Sequence, residues 1–191
     1  MSATGRGALR HKDDFYATPE WATKALIHRL GLQKNQDLSA LDPCCGDGAI
    51  LRVLVESFSK VTGYEIDEER AQKALSVAGV VRLDALGPLY PVFYDWVITN
   101  PPYNLAQKFV EMAHTRIKSG GSVAMLLRIG FYGSQKRAAF WKEYKPVAIF
   151  VLPKRPCFTN DGKTVACEYA WFWWNPGRNT DLPTIIERLD P

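Results

Sequence analysis

No apolar run in this chain approaches the ~18 residues that a membrane-spanning helix needs, and the amino terminus lacks the apolar core of a secretory signal. Membrane partners are therefore not expected, and the expected compartment is the cytoplasm. Cysteine is scarce, with four in 191 residues. Two of them, Cys44 and Cys45, are adjacent, which is no disulfide framework for a chain this long. Cys157 and Cys167 lack the paired short spacing of a zinc site, so free thiols and no metal are expected. Neither sign of charge dominates. The formal net charge of +4 permits an anionic partner without demanding one. Internal repeats and low-complexity stretches are missing too. What remains is ordinary globular composition, 47% hydrophobic and 23% charged, in a length that suits one domain with a full core.

What is present is an alternation of strand and helix patterns. Residues 1–13 are small and basic and read as a flexible arm. Residues 14–191 read as a single domain. Thr18 is placed to cap a first helix, with Pro19 at its first position, a stripe of Trp21, Ala25, Leu26 and Leu30, and Gly31 as its stop. Strand patterns follow at Leu38–Asp42, Lys60–Glu65, Gly79–Leu83, Asp95–Thr99, Ser122–Leu127, Val147–Leu152 and Ala166–Trp174. Helical patterns occupy Ala49–Phe58, Asp67–Ala78, Leu105–Ile117 and Ser134–Tyr144, with Gly120-Gly121 closing the third of these. The loop before the last strand is too short for a parallel crossover, so that strand is expected to return antiparallel. The tail, Asn175–Pro191, reads as an exposed ending.

Chemistry concentrates where strands end. Asp42 closes the first strand and is followed by Pro43-Cys44-Cys45-Gly46-Asp47-Gly48, a Gly-rich turn that opens a helix. The full G-x-G-x-x-G spacing and a Walker lysine are both absent, which disfavours phosphate cradling and leaves Asp42 able to hold an ammonium group. Glu65 ends the second strand at the position of a ribose-diol ligand. Asp84 follows the third strand, where it either meets an adenine amine or caps a turn. The fourth strand runs into Asn100-Pro101-Pro102-Tyr103. Two prolines cannot continue a sheet, so the chain must turn at the strand's carboxyl end. The turn holds an Asn side-chain carbonyl beside a Pro main-chain carbonyl, a pair suited to an –NH2 group, and Tyr103 adds a ring for stacking. Basic and aromatic residues interleave in the late loop around Lys154, Arg155 and Phe158, as nucleic-acid contact favours.

Taken together, these motifs resemble the amino-methylating DNA methyltransferases, in particular the small phage-type DNA adenine-N6 methyltransferases. The resemblance spans about Asp14 to Trp174. It rests on Tyr16-Ala17-Thr18-Pro19, the Asp42–Gly48 segment, Glu65, Asn100–Tyr103, and the later Arg155–Thr159 and Glu168–Phe172 segments. It implies an α/β Rossmann-like class I methyltransferase fold. Its sheet would have seven mostly parallel strands, a closing hairpin with one antiparallel strand, and helices on both faces. It implies S-adenosyl-L-methionine as cofactor. Tyr16, Thr18, Pro19, Asp42, Pro43, Cys44, Gly46, Glu65, Ile66, Asp84 and Asn100 would border that cofactor. Asn100, Pro101, Pro102 and Tyr103 would be catalytic, and Tyr103, Arg128, Lys154, Arg155 and Phe158 would meet the substrate. The implied partner is DNA in a bacterial host cell or its nucleoid, and a monomer is favoured.

Larger relatives of that kind carry a separate target-recognition domain. Here the two places for one, Ala85–Tyr94 and Asn175–Pro191, are too short to fold alone, so weak or very short sequence recognition is expected. Three alternatives stay open at this point. They are an RNA adenine-N6 methyltransferase, a protein glutamine-N5 methyltransferase, and a catalytically silent nucleic-acid-binding module.

Overall fold

A computed structural model describes residues 17–34, 37–88, 91–158, 164–178 and 181–189. The amino-terminal arm, Tyr16 and the end of the late loop, residues 159–163, lie outside the described residues. The elements in chain order are α1 (Glu20–Arg29), β1 (Ser39–Asp42), α2 (Ala49–Leu54), β2 (Lys60–Glu65), α3 (Glu68–Ala74), β3 (Gly79–Arg82), β4 (Tyr94–Thr99), α4 (Ala106–His114), β5 (Ile117–Arg128), α5 (Ala138–Glu143), β6 (Ala148–Val151), β7 (Tyr169–Trp174) and β8 (Ile185–Arg188). The strands form one sheet in the order β3-β2-β1-β4-β5-β7-β6-β8. Among the described residues only β7 runs against its neighbours, pairing antiparallel with both β5 and β6.

Period-two side-chain alternation divides the core into two layers. On β5, Ala124 and Leu126 face α1 and α2, while Val123, Met125 and Leu127 face α4 and α5. On β7, Tyr169 and Trp171 join the first layer, and Ala170, Phe172 and Trp174 the second. The Trp171 indole is fully buried and donates to the Ala22 carbonyl of α1 at 2.9 Å, which pins that helix to the sheet.

Four details differ from the sequence expectation. Among the described residues the sheet has eight strands, because Ile185–Arg188 in the tail pairs parallel with β6. Thr184-Ile185-Ile186 is a β-branched run that suits a strand. Pairing is secured by Ile185 N–H on the Val147 carbonyl and Leu189 N–H on the Val151 carbonyl. A bidentate ion pair between Arg29 and Glu187 ties the strand to α1. Gly120-Gly121 does not stop a helix. It sits inside β5, where the register with β4 jumps from Tyr94↔Ile117 to Trp96↔Ser122. A Cβ on Gly121 would lie 2.9 Å from the Lys118 carbonyl and 3.0 Å from the Asp95 carbonyl, so the bulge requires glycine there. Helix α4 accordingly ends at His114 rather than Ile117. Finally, Thr18 does not cap α1. Pro19 occupies that position, without a side-chain cap, and the Thr18 hydroxyl is spent elsewhere.

Candidate active site

The parallel strands β1, β2 and β4 all end at one edge of the sheet, and the loops beyond them enclose a cavity of about 540 Å3. That size lies within the range of roughly 300–1,000 Å3 usual for cofactor and drug-sized ligands. Of the residues named from sequence, Thr18, Asp42, Pro43, Cys44, Glu65, Ile66, Asp84, Asn100 and Pro102 line it. Pro19, Gly46, Pro101 and Tyr103 adjoin residues that line it, and Arg128, Lys154, Arg155 and Phe158 are not among its lining residues.

Asp42 sits at the tip of β1 and is almost wholly buried. Its Oδ1 accepts from the Thr99 hydroxyl at 2.6 Å and from the Cys44 N–H at 3.3 Å. Burial disfavours the charged form more than these two donors favour it, so the carboxyl is pushed up to about 7. The Thr99 hydroxyl has one proton and gives it to Asp42, leaving Thr99 Oγ1 to accept from the Cys44 thiol 2.9 Å away. Burial, with Asp42 nearby, pushes the Cys44 thiol well up, so it remains a thiol and a donor. Thr99 went unnoticed in the sequence. It is the last residue of β4 and links Asp42 directly to the corner that follows.

Glu65 ends β2 and is 5% exposed. Its Oε2 accepts from the Gly46 N–H at 2.8 Å, and its Oε1 from the Asp67 N–H at 2.9 Å. Gly46 has a φ of 56°, the left-handed region that favours glycine, and this turns its N–H towards the carboxylate. Arg70, from α3, adds Nε at 3.3 Å and Nη2 at 3.2 Å to Oε1 and itself lines the cavity. No sequence motif marks Arg70; only the fold brings it to Glu65. Asp84 accepts from the Leu86 N–H at 2.9 Å, capping its own turn while its side chain faces the cavity.

At the corner after β4, the Asn100 amide Nδ2 donates to the Thr18 hydroxyl at 3.0 Å. That bond fixes the amide's orientation, and it is why Thr18 leaves α1 uncapped. The following turn, Tyr103–Leu105, closes through the Leu105 N–H on the Pro102 carbonyl, not on that of Pro101. Tyr103 packs at 5.5 Å from Tyr169, with the Arg128 guanidinium 4.7 Å over its ring. Arg128 Nε also donates to the Tyr169 hydroxyl at 3.0 Å. Burial pushes the Tyr103 hydroxyl far above the ordinary phenol range, so it is no base. Phe158 is buried, edge-on to Tyr169 at 5.2 Å. Lys154 lies over the Trp21 ring, and Arg155 forms an exposed pair with Glu168. His114 is remote from all of this, bonded to the Val110 carbonyl and set edge-on against Tyr144 and Trp174. No group of His, Cys, Asp and Glu among the described residues forms a metal site.

No protein-family model matches the chain, and no curated protein matches it in sequence. Solved structures do match. A provisionally assigned class I S-adenosylmethionine-dependent methyltransferase from Listeria monocytogenes superposes with a TM-score of 0.73 at 16% identity, over 96% of this chain and 68% of that one. The fold is that of the class I S-adenosylmethionine-dependent methyltransferases. The modification subunit of a provisionally assigned type I restriction enzyme from Vibrio vulnificus gives 0.69 at 16% identity, over 91% of this chain and 47% of that one. A provisionally assigned RNA methyltransferase from Pyrococcus horikoshii also gives 0.69 at 16% identity, over 85% and 88%. At these identities the likeness speaks of the fold alone. The expected class I sheet is present, with the antiparallel β7 in place and β8 added beyond β6.

Proposed function

We propose that this chain is an S-adenosylmethionine-dependent methyltransferase acting on the exocyclic N6 amine of adenine in DNA. The observation that carries the reading is the Asn100 amide, held by Thr18 on the wall of the same cavity that contains Asp42 and Glu65. An amine acceptor and a cofactor-sized acidic cavity then share one space.

The residues present fit the cofactor. Asp42 is a buried carboxyl balanced near neutrality, which an incoming ammonium group would hold in its charged form. Glu65 faces the cavity as a ribose-diol acceptor, Ile66 offers an exposed apolar surface to adenine, and Asp84 lies on the same wall. When bound, the cofactor supplies an activated methyl group on a positively charged sulfur.

Everything else falls to the chain's own groups. The adenine amine is flat because its lone pair is delocalised into the ring. The Asn100 side-chain carbonyl and the Pro101 main-chain carbonyl, accepting its two protons, favour the pyramidal, nucleophilic form. They also stabilise the positive charge that grows on nitrogen during transfer. No prior deprotonation is needed, since the proton becomes acidic only as the new bond forms. In keeping with this, none of the described residues that line the cavity is a histidine. The target base leaves the duplex to reach the corner, and stacking against Tyr103 offsets part of that cost. Arg128, Lys154 and Arg155 give electrostatic, sequence-tolerant affinity.

The experiment is to incubate the protein with labelled cofactor and, in parallel, duplex DNA, single-stranded DNA, single-stranded RNA and a glutamine-containing peptide. N6-methyladenine recovered from DNA supports the reading. Label confined to RNA or to the peptide transfers the site to one of the alternatives. Failure to bind the cofactor in any arm leaves only a silent binding module.

A further inference from the structure

The Glu65 carboxylate is nearly saturated. It is 5% exposed, and four donors converge on it: the Gly46 and Asp67 backbone N–H groups at 2.8 and 2.9 Å, and two from Arg70 at 3.3 and 3.2 Å. An ionised carboxylate offers about four lone-pair sites. Three of the four donors fall on Oε1, which has two such sites, and one on Oε2, so a vicinal diol can add one hydrogen bond at Oε2 but reaches Oε1 only if donors leave it. The backbone pair cannot go without unfolding the Gly46 turn or the start of α3. The Arg70 bonds are the longer pair, and they come from a side chain. Its guanidinium also has a second anion within reach, since Arg70 Nε lies 3.9 Å from Asp67 Oδ1 on the same helix.

The geometry points to Arg70 as a displaceable clamp on Glu65. It holds the carboxylate oriented while the cavity is empty, and yields its two hydrogen bonds when ribose hydroxyls arrive. This rests on the cofactor reading of the cavity and adds to it that Arg70 weakens diol binding instead of supporting it. At Oε1 the exchange is two N–H donors for an O–H donor, so the hydroxyls contribute less than two added hydrogen bonds would. Removing Arg70 lets them realise their full interaction with the Glu65 carboxylate. A guanidinium that merely braced α3, or that stayed in place and touched the ligand, would not produce that coupling.

The test is a thermodynamic cycle by calorimetry at mildly alkaline pH, with S-adenosylhomocysteine and its 2′,3′-dideoxy counterpart as probes. In the wild-type protein the dissociation constants of the two ligands should differ modestly. In Arg70→Met that ratio should grow by about tenfold, one hydrogen bond's worth to a charged acceptor, with Arg70→Gln between the two. Thermal melts of each variant identify any that fail to fold, and Arg70→Gln then carries the comparison. An unchanged ratio, with S-adenosylhomocysteine still bound, overturns the clamp and leaves the cofactor reading standing. Equal weakening of both ligands overturns it in favour of a direct ligand contact. If neither ligand binds the wild-type protein, the cofactor reading fails and the clamp goes with it.

Discussion

The two halves of the site are built differently. On the side of the cavity, Asp42, Glu65 and Asn100 are each held by short hydrogen bonds, several of them involving backbone N–H groups or buried hydroxyls. On the side of Tyr103, the groups are held by ring contacts and exposed charges: Arg128 over Tyr103, Lys154 over Trp21, Arg155 on Glu168. The first set is preorganised at the cost of buried charge. The second is made of contacts that a polyanion can exchange, because surface pairs are individually weak and screened by salt. Under the proposed function the difference is a division of labour: rigid geometry at the methyl-transfer corner, exchangeable contacts where a polyanionic substrate would be admitted.

Substitutions can break that division, the largest effect first. Asn100→Ala removes one of the two amine acceptors and should lower single-turnover methyl transfer by about 10²–10³. Calorimetry should find cofactor affinity within a few-fold of wild type. Equal losses in both would mean that Asn100 acts mainly on the cofactor side.

Asp42→Asn should separate stability from binding. The Asp42 carboxyl has a folded pKa raised to about 7 by burial. Its unfolded counterpart ionises in the ordinary carboxylate range. Between those two values the folded state holds a proton that the unfolded state has lost, so stability falls as pH rises and stays lower above about 7. The isosteric amide should relieve that cost, of order 4 kcal/mol at most, and raise the melting temperature at alkaline pH. The same change should weaken cofactor binding at least tenfold, since an amide gives an ammonium no counter-charge. In the wild-type protein, calorimetric affinity should fall as pH drops through about 7, where Asp42 takes up its proton. A flat profile would remove Asp42 from cofactor binding.

Tyr103→Ala tests the other side. Nucleic-acid turnover should drop by an order of magnitude or more through lost base stacking, worth about 1–3 kcal/mol, while cofactor affinity stays near wild type. The smallest effect is expected from Arg155→Ala. It should leave the melting temperature unchanged and lower the slope of log affinity for DNA against log salt by about one.

How legible the molecule is from its sequence follows the same divide between local and distant causes. The Gly46 turn, the acid at the end of β2 and the Asn-Pro-Pro-Tyr corner are local patterns, and the structure gathers Asp42, Glu65 and Asn100 around one cavity. The alternation of elements, with the family resemblance that the motifs carry, was enough for the class I fold, and the short loop before it for the antiparallel β7. Features decided by distant partners were not legible. Thr18 has the right chemistry for a helix cap, yet its hydroxyl serves Asn100, 82 positions away. Gly120-Gly121 has the composition of a helix stop, but the crowding that requires glycine comes from the Asp95 carbonyl on a neighbouring strand. Strand β8 is short and flanked by proline and charge, and what holds it is the edge of β6 and the Arg29 side chain. Arg70 and Thr99 belong to the site only because α3 and β4 deliver them there. Tyr16 falls outside the described residues, so its expected place beside the cofactor is untouched by these contacts.

The most direct measurement is a crystal structure with a non-reactive cofactor analogue and a short adenine-containing strand. The account predicts the adenine amine within about 3 Å of both Asn100 Oδ1 and the Pro101 carbonyl, with the analogue's amino group against Asp42 and its ribose on Glu65. An analogue bound elsewhere, or a base whose amine cannot reach that pair of oxygens, would contradict it.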